Sequence, residues 1–277
     1  MKHVSLPAGE SVPALGMGTW MIGESRARRA EEIATLQHGI DLGMTLIDTA
    51  EMYGEGESEK LVGEAIRGRR ERVFLVSKVY PHNAGVKAAQ AACERSLRRL
   101  GVDCLDLYLL HWRGSVPFEE TIEAFEALKA AGKIRHFGVS NLDADDLNEW
   151  CDVTGGEALA VDQVLYNLTR RGIEWDLLPW CQERRIPVMA YSPIEQARLL
   201  RHRGFCELAQ AGGWQPAQLA LAWLLQRDGV IAIPKASTRA HLEENFSALQ
   251  CQLDAPVLAA LDRLFPPPTR ATPLEIL

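Results

Sequence analysis

The sequence lacks the features that mark secreted, membrane-spanning and zinc-binding proteins. Its six cysteines are scattered singly, with no Cys-x-x-Cys pair and no histidine at zinc-finger spacing, so we expect reduced, mostly buried thiols. The longest unbroken apolar run, from Leu219 to Leu225, is far too short to cross a bilayer. Residues 1–10 contain no apolar signal segment. These absences predict a cytoplasmic protein with no membrane contact.

An excess of positive charge is also missing. The 277 residues carry a formal net charge of -7 with a pI near 5.6, whereas nucleic-acid binding normally needs a clustered basic surface. Nucleic acid is therefore not expected as a partner, although a local anion site remains compatible with this charge. The length and an ordinary composition, 47% hydrophobic and 24% charged, suit one globular domain over residues 1–277.

The glycine pattern of a Rossmann dinucleotide site is absent as well. Such a site needs Gly-x-Gly-x-x-Gly between the first strand and its helix. Gly16-Met17-Gly18 and Gly54-Glu55-Gly56 each supply only the first two glycines, so a nicotinamide cofactor would have to be held by another arrangement. The first predicted strand also offers no His-x-His pair. We therefore expect no metal site and no metal-dependent hydrolysis.

What the sequence does contain is an alternation of short strand-like runs with amphipathic helical segments. Ile33, Leu36 and Ile40 have the spacing of one helical face, and similar spacing recurs between later runs. The predicted strands are Ala14–Gly18, Thr45–Thr49, Val73–Val79, Cys104–His111, Ile134–Ser140, Ala158–Leu165, Pro187–Ser192 and Val230–Pro234. Alternating strands and helices form a parallel sheet, and eight strands close a barrel. The sequence thus predicts a single α/β domain, a (β/α)8 TIM barrel.

Several segments depart from this repeat. Residues 4–6 and 12–15 flank Pro7-Ala8-Gly9-Glu10 and predict an N-terminal β-hairpin that closes the bottom of the barrel. Residues 195–213 are rich in arginine and glycine, which predicts a loop with a helical turn over the mouth. Pro266-Pro267-Pro268 is expected to end the C-terminal helix and release a short tail. Asn83 and Asp143 stand where helix N-caps are expected.

Four reactive side chains fall at the ends of consecutive predicted strands. Asp48 closes the second strand, Tyr53 follows in the next loop, Lys78 lies at the end of the third, and His111 ends the fourth. Singly, each has an ordinary explanation, such as a turn cap, a surface aromatic or a core histidine. Because the carboxyl ends of barrel strands face one mouth, we expect all four to meet there.

These residue types suit the reduction of a carbonyl group. Hydride addition to carbon places negative charge on oxygen, which an acid must stabilise and then protonate. A free tyrosine has a pKa of about 10, and a neighbouring lysine ammonium is expected to lower it. Tyr53 is therefore the predicted acid, and Asp48 and Lys78 are the pair that tunes it. A neutral His111 would hydrogen-bond and orient the substrate oxygen.

Six motifs occur in a fixed order along nearly the whole chain. They are Ile47-Asp48-Thr49-Ala50-Glu51-Met52-Tyr53-Gly54, Val76-Ser77-Lys78-Val79, Leu109-Leu110-His111-Trp112, Gly138-Val139-Ser140-Asn141, Ala190-Tyr191-Ser192-Pro193 and Ile233-Pro234-Lys235. Together they resemble the signatures of the aldo-keto reductase family, and most closely its bacterial methylglyoxal reductase branch, through Lys78-Val79-Tyr80-Pro81 and Gln163-Val164-Leu165-Tyr166. The resemblance implies that Asp48, Tyr53, Lys78 and His111 form the catalytic tetrad.

The resemblance also implies how a nicotinamide cofactor would be held. Ser140, Asn141 and Gln163 would hydrogen-bond the nicotinamide carboxamide, and Tyr191 would stack on its ring. The pyrophosphate would lie along the segment that contains Ser192, Pro193, Ile194 and Gln196. Backbone N–H donors suit its negative charge.

A polar cluster after the eighth predicted strand suits the adenosine end of such a cofactor. Its members are Lys235, Ser237, Thr238 and Arg239, followed on the same helix by His241, Glu244 and Asn245. Two cations, hydroxyl groups and a helix N-terminus fit a phosphate dianion, which favours NADPH (NADP+) over NADH. Ala236 and His241 stand where many relatives carry serine and arginine.

Apolar and aromatic side chains are expected to line the mouth. The predicted substrate-binding residues are Trp20, Met52, Tyr80, His111 and Trp112, and such a wall supplies the water-poor site that hydride transfer needs. The tail after Pro268 is short, so we expect an open pocket for small aldehydes and α-dicarbonyls such as methylglyoxal. We also expect the protein to be a monomer.

Two other functions remain open at this point. Barrels of this family can serve as nicotinamide-sensing subunits without significant turnover, although the intact tetrad argues against that use. Lys78 could instead act as the Schiff-base nucleophile of an aldolase-type barrel.

Overall fold

Strands and helices alternate along the chain in the computed structural model, which describes residues 1–277. The strands are β1 (His3–Ser5), β2 (Ser11–Pro13), β3 (Met17–Gly18), β4 (Leu46–Asp48), β5 (Phe74–Val79), β6 (Leu105–Leu110), β7 (Ile134–Ser140), β8 (Leu159–Leu165), β9 (Val188–Tyr191) and β10 (Val230–Ala232). The helices are α1 (Arg29–Leu42), α2 (Glu57–Ala65), α3 (Val86–Leu100), α4 (Phe118–Ala130), α5 (Ala144–Asp152), α6 (Leu177–Glu183), α7 (Arg203–Ala211), α8 (Pro216–Leu225), α9 (Arg239–Ser247) and α10 (Ala255–Leu264).

The eight strands β3 to β10 form one parallel sheet in sequence order. Parallel bridges from Leu15 to Ala232 and from Gly18 to Lys235 join its two edges, so the sheet closes into the predicted barrel. A Cβ on Gly18 would lie 2.7 Å from the carbonyl oxygen of Ile233, and only glycine allows the edges to approach this closely. The Gly16-Met17-Gly18 motif is therefore explained by barrel closure.

The barrel strands are buried on both faces. Every residue of β5, β6 and β8 is buried, as expected when a parallel sheet is filled on one side and covered by helices on the other. These strands belong to a hydrophobic cluster of 77 residues. The predicted hairpin is confirmed as the antiparallel pair β1 and β2, and its Val4 and Val12 are part of the same cluster. No helix of the chain is both long and apolar enough to cross a membrane.

Some local predictions are wrong. Asn83 does not cap a helix, because α3 begins after Gly85 and the Asn83 side chain donates to Glu51 instead. Asp143 does cap α5, accepting a hydrogen bond from the Asp146 N–H. Residues 195–213 contain more than a helical turn, since two short 3-10 turns are followed by the nine-residue helix α7. All six cysteines are free, but only Cys93 and Cys181 are fully buried.

Candidate active site

The structure brings the four predicted catalytic residues together at the carboxyl ends of neighbouring strands. Asp48 is the last residue of β4, and Lys78 lies one residue before the end of β5. His111 directly follows β6, and its backbone N–H donates to the carbonyl oxygen of Val79 at 3.0 Å. Tyr53 begins the 3-10 turn after β4, and its ring lies 5.9 Å from that of His111 at an interplanar angle of 76°.

Lys78 is the centre of this group. Its side chain is fully buried, and its ammonium donates to Asp48 Oδ2 at 2.8 Å, to the Thr49 carbonyl oxygen at 3.0 Å and to the Tyr53 hydroxyl at 3.0 Å. These three acceptors use all three of its N–H groups. Although burial acts to lower it, the pKa of Lys78 is raised by Asp48 and Tyr53. Lys78 is therefore held as a charged hydrogen-bond donor, which disfavours its use as an amine nucleophile.

Lys78 acts to lower the pKa of Tyr53, as expected, but that pKa does not fall below its ordinary value. Burial raises the pKa of Tyr53, and the charge and hydrogen bond of Lys78 offset only part of that increase. The Tyr53 ring keeps some exposure to the mouth, but its hydroxyl lies against the fully buried ammonium. At neutral pH Tyr53 thus carries its proton, and Lys78 is placed to stabilise the phenolate once that proton has been donated.

His111 is neutral, as predicted. Burial, together with the nearby charge of Lys78, lowers its pKa to about 2. Its Nδ1 is buried without a hydrogen-bond partner in the protein, so no carboxylate favours the protonated form. A neutral imidazole can donate one hydrogen bond to an oxygen without taking a proton from solvent.

The residues predicted to bind the nicotinamide form one network with the tetrad. Gln163 Nε2 donates to Asp48 Oδ1 at 2.8 Å, and the Ser140 hydroxyl donates to the Gln163 carbonyl oxygen at 2.7 Å. Asn141 Nδ2 donates to the His111 carbonyl oxygen at 3.1 Å, while Asn141 Oδ1 accepts from the Tyr191 hydroxyl at 2.9 Å. The network extends from β7 across β8 to β9.

The segment from Ser192 to Gln196, predicted to contact a pyrophosphate, and the next residue, Ala197, have an unusual backbone. Ser192, Glu195, Gln196 and Ala197 all have positive φ, between 47° and 66°, a region that residues with a Cβ rarely occupy. Sequence reasoning included Ser192, Pro193, Ile194 and Gln196 but missed the role of Glu195, whose buried carboxylate organises this turn. No glycine marks the turn, so only the folded structure reveals it.

The predicted adenosine cluster lies where β10 leads into α9. Thr238 is the N-cap of α9 and accepts from the His241 N–H at 3.4 Å, while the His241 side chain is exposed. Burial, together with the nearby Arg28, lowers the pKa of Lys235. Further members are Ser237, which is half-buried, Arg239, which is exposed, Glu244, which is half-buried, and Asn245, which is buried.

The predicted aromatic wall is partly assembled. Tyr80 packs edge-to-face on Trp112 with ring centroids 5.9 Å apart, and Trp112 lies 4.8 Å from the His111 ring. Trp20 and Met52 are 43% and 38% exposed. Trp20 follows Thr19, whose hydroxyl donates to the Asp48 carbonyl oxygen at 2.9 Å, and Met52 precedes Tyr53. Both residues therefore lie at the mouth.

Glu51 is a second residue that sequence reasoning missed. It is buried, and its Oε1 accepts from the Tyr80 N–H at 2.9 Å and from Asn83 Nδ2 at 3.1 Å. Glu51 thereby ties the loop that carries Tyr53 to the loop that carries Tyr80. Its position inside a family motif was visible in the sequence, but its partners come from the loop after β5 and become apparent only in the fold.

Comparisons with known proteins identify a family and several relatives of the chain. The aldo/keto reductase family profile matches residues 14–265. The methylglyoxal reductase YeaE of Escherichia coli (strain K12) is 53% identical over 280 residues, which cover 99% of each chain. A glyoxal reductase of Bacillus subtilis (strain 168) is 32% identical over 266 residues, which cover 94% of this chain and 92% of the relative.

A solved structure is similar over the full length. It is an aldo/keto reductase from Klebsiella pneumoniae in complex with NADP and acetate, 53% identical to this chain, with a TM-score of 0.97. The superposition covers 100% of this chain and 99% of that one. The similarity includes every element that carries the candidate site.

Proposed function

This chain belongs to the aldo/keto reductase family of oxidoreductases, and from that premise we propose that it reduces small aldehydes and α-dicarbonyls such as methylglyoxal with NADPH. The observation that carries the proposal is the hydrogen-bonded row Asp48–Lys78–Tyr53 beside a neutral His111 at the mouth of the barrel. The complex of the Klebsiella pneumoniae relative with NADP and the methylglyoxal reductase relative support the choice of cofactor and substrate.

The side chains around the mouth suit the parts of NADPH. Both N–H groups of the Gln163 amide are engaged, by Asp48 and by the sulfur of Met189, which leaves the amide oxygen to accept from a nicotinamide carboxamide. The half-buried ring of Tyr191, fixed by its hydroxyl on Asn141, offers a flat surface for the nicotinamide ring. Ser140 and the backbone of residues 192–196 complete the inner part of the proposed site.

The outer part of the proposed site would hold the adenosine phosphate. Lys235 and Arg239 supply positive charge, and Ser237 and Thr238 supply hydroxyl groups at the start of α9. Burial and the nearby Arg28 lower the pKa of Lys235, and a bound dianion would favour its ammonium form. We propose His241, Glu244 and Asn245 as further contacts to the adenosine, and NADPH as the preferred form.

When bound, NADPH would supply the hydride, and the protein would supply the proton. The substrate oxygen would accept hydrogen bonds from the Tyr53 hydroxyl and from His111. As negative charge grows on that oxygen, Tyr53 would donate its proton. The phenolate left on Tyr53 lies 3.0 Å from the Lys78 ammonium, which Asp48 holds in place at 2.8 Å.

The wall around this point suits a small carbonyl compound. Tyr80 and Trp112 would cover one side of the substrate, and the exposed Trp20 and Met52 would border the entrance. Apolar walls exclude water from the reacting atoms and strengthen the hydrogen bonds to the substrate oxygen. We propose that His111 and these four residues bind the substrate.

We propose in addition that residues 1–277 fold as one domain and act as a monomer in the cytoplasm. The six free cysteines suit a reducing compartment. Light scattering that gave about twice the chain mass of 30.7 kDa would overturn the monomer.

The function is tested by following NADPH absorbance with methylglyoxal and a panel of small aldehydes. Tyr53→Phe should keep NADPH binding and lose turnover by about 10³-fold, since a general acid contributes about 10²–10⁴. Tyr108→Phe is the matched control, because it removes the hydroxyl of a buried phenol that has no hydrogen-bond partner and packs against Phe125 on α4, so it should retain the rate. Retained turnover in Tyr53→Phe would mean that another group is the acid.

Two further results would decide the remaining alternatives. Binding of NADPH without oxidation by any aldehyde would favour a nicotinamide-sensing subunit. Equal turnover with NADH at matched concentration would remove the proposed preference for NADPH.

A further inference from the structure

The turn from Ser192 to Ala197 is strained and must be held by its surroundings. Four of its non-glycine residues have left-handed φ, at 47° for Ser192, 51° for Glu195 and Gln196, and 66° for Ala197. Each such residue is unfavourable by itself and persists only where neighbouring groups fix it. Because this turn would follow the cofactor pyrophosphate, whatever fixes it also shapes the proposed cofactor site.

The groups that fix the turn converge on Glu195, which is 4% exposed. Asn167 Nδ2 donates to Glu195 Oε2 and to the Ser192 carbonyl oxygen, both at 2.9 Å. Arg170 Nη2 and Arg198 Nη2 donate to Glu195 Oε1 at 3.0 Å and 2.8 Å. Although burial acts to raise it, the pKa of Glu195 is lowered by the hydrogen bonds of Arg170 and Asn167. The strained turn is thus held by charge from the loop after β8.

Arg170 also holds the C-terminal tail. Its Nη1 donates to the Glu275 carboxylate, so one guanidinium bridges the strained turn and the tail. Beyond this contact, the Leu277 N–H lies 3.4 Å from the Tyr191 hydroxyl. Clefts open beside the tail at residues 272–275, so the tail is not packed tightly along its length. Leu274 packs against the hydrophobic core, and the ion pair of Glu275 with Arg170 is the polar attachment next to it.

We propose that Arg170 is a positioning residue that couples docking of the C-terminal tail to NADPH binding, each favouring the other. The proposal rests on the proposed function, because its ligand is the proposed cofactor. With Glu275 in place, Arg170 is fixed and holds Glu195 in the turn that the pyrophosphate needs. With the tail docked, the backbone N–H of Leu277 also donates to the Tyr191 hydroxyl. The nicotinamide ring would stack on the ring of Tyr191. Coupling between two binding events is reciprocal, so NADPH must strengthen tail docking by the same factor.

The test uses the full-length protein and two measurements. The first is the dissociation constant of NADPH, from fluorescence titration. The second is the rate at which carboxypeptidase releases leucine and isoleucine from the C-terminus, with and without saturating NADPH. In the wild type, NADPH should slow this release.

Glu275→Gln should weaken NADPH binding by about threefold, since its ion pair with Arg170 is partly exposed. In this variant NADPH should no longer protect the tail, and the lost protection should match the change in dissociation constant within about twofold. Glu149→Gln is the matched control, because it removes a carboxylate of α5 that forms a surface ion pair with Arg113, and it should change neither measurement. Arg170→Gln should weaken NADPH binding by about tenfold or more, because it also leaves the buried Glu195 short of a partner.

Normal NADPH affinity and full protection in Glu275→Gln would overturn the coupling and leave the proposed function standing. Protection of the tail by NADPH that persists in Arg170→Gln would overturn it too. Failure of the wild type to bind NADPH at all would instead overturn the proposed function, and with it this inference.

Discussion

Of the three aspartates buried on the barrel sheet, Asp48 and Asp162, at 2% and 0% exposure, have the most different surroundings. Asp48 lies at the mouth, where Lys78 donates to one oxygen and Gln163 to the other, each at 2.8 Å. Asp162 precedes Gln163 on β8, so its side chain points to the opposite face of the sheet. Neither of its oxygens has a hydrogen-bond partner. One carboxyl group is fully paired and the other is alone.

The difference shows that burial by itself does not identify a functional residue. Burial raises the pKa of Asp162 well above the ordinary value, and the nearby Leu142 N–H offsets only part of this because it makes no hydrogen bond of good geometry. Perturbed pKa values cluster at active sites, yet this carboxyl lies behind the sheet, away from the mouth. The set of partners, an ammonium and an amide, distinguishes Asp48, the aspartate that lies in the proposed active site.

Lys78→Met should have the largest effect, because it leaves the buried Asp48 carboxylate without its cationic partner and so makes it more like Asp162. Turnover of methylglyoxal should fall by about 10³-fold or more, because the Tyr53 phenolate loses its stabilising charge. The free energy of unfolding should fall by about 3 kcal/mol, since removing one member of a buried ion pair leaves an uncompensated charge. Steady-state kinetics and urea denaturation measure the two effects.

The double variant Lys78→Met with Asp48→Asn separates the two effects. It removes the lone charge, so most of the lost stability should return while turnover stays low. A double variant no more stable than Lys78→Met would mean that the cost does not come from the unpaired carboxylate. Turnover of Lys78→Met within about tenfold of the wild type would contradict the tuning role of Lys78.

The pH dependence of activity tests the protonation states of Tyr53 and His111 at the mouth. Burial raises the pKa of Tyr53, and burial with the Lys78 charge lowers the pKa of His111 to about 2. Neither group therefore changes its proton between about pH 6 and pH 9, and kcat/KM should be constant over that range. The rate should fall only at higher pH, as Tyr53 loses its proton. A decrease with a midpoint near the ordinary histidine pKa of about 6.5 would mean that His111 titrates.

The fold and the tetrad could be predicted because both depend on local pattern. The alternation of strands and helices places Asp48, Lys78 and His111 at strand ends, and parallel strands bring those ends to one mouth. The sign of the Tyr53 pKa shift could not be predicted in this way, because it depends on how far the hydroxyl is buried. The sequence identifies the residues that lie next to Tyr53, but it does not show how deeply the Tyr53 hydroxyl is buried.

The turn around Glu195 could not be predicted for a different reason. Its left-handed residues carry side chains, and local preference argues against that conformation. Contacts with Asn167 and Arg170 from another loop override the preference. The local sequence does not show contacts from a distant loop, whereas a glycine in the same place would have indicated the turn.

The smallest expected effect concerns Asp162, the unpaired member of the comparison. Its pKa is raised in the folded protein, so the folded state holds a proton that the unfolded chain releases above about pH 4. Its contribution to stability is therefore complete below that pH and is lost as the pH rises toward the folded-state pKa. Asp162→Asn has no proton to release, so its Tm should exceed that of the wild type by about 2–5 °C at pH 7.5. The gap should shrink toward zero near pH 4 while kcat stays unchanged. Asp103→Asn, at an exposed position, should show no such pH-dependent gap in thermal unfolding. A gap for Asp162→Asn that is equal at both pH values would mean that proton uptake by this carboxyl is not the cause of the gap.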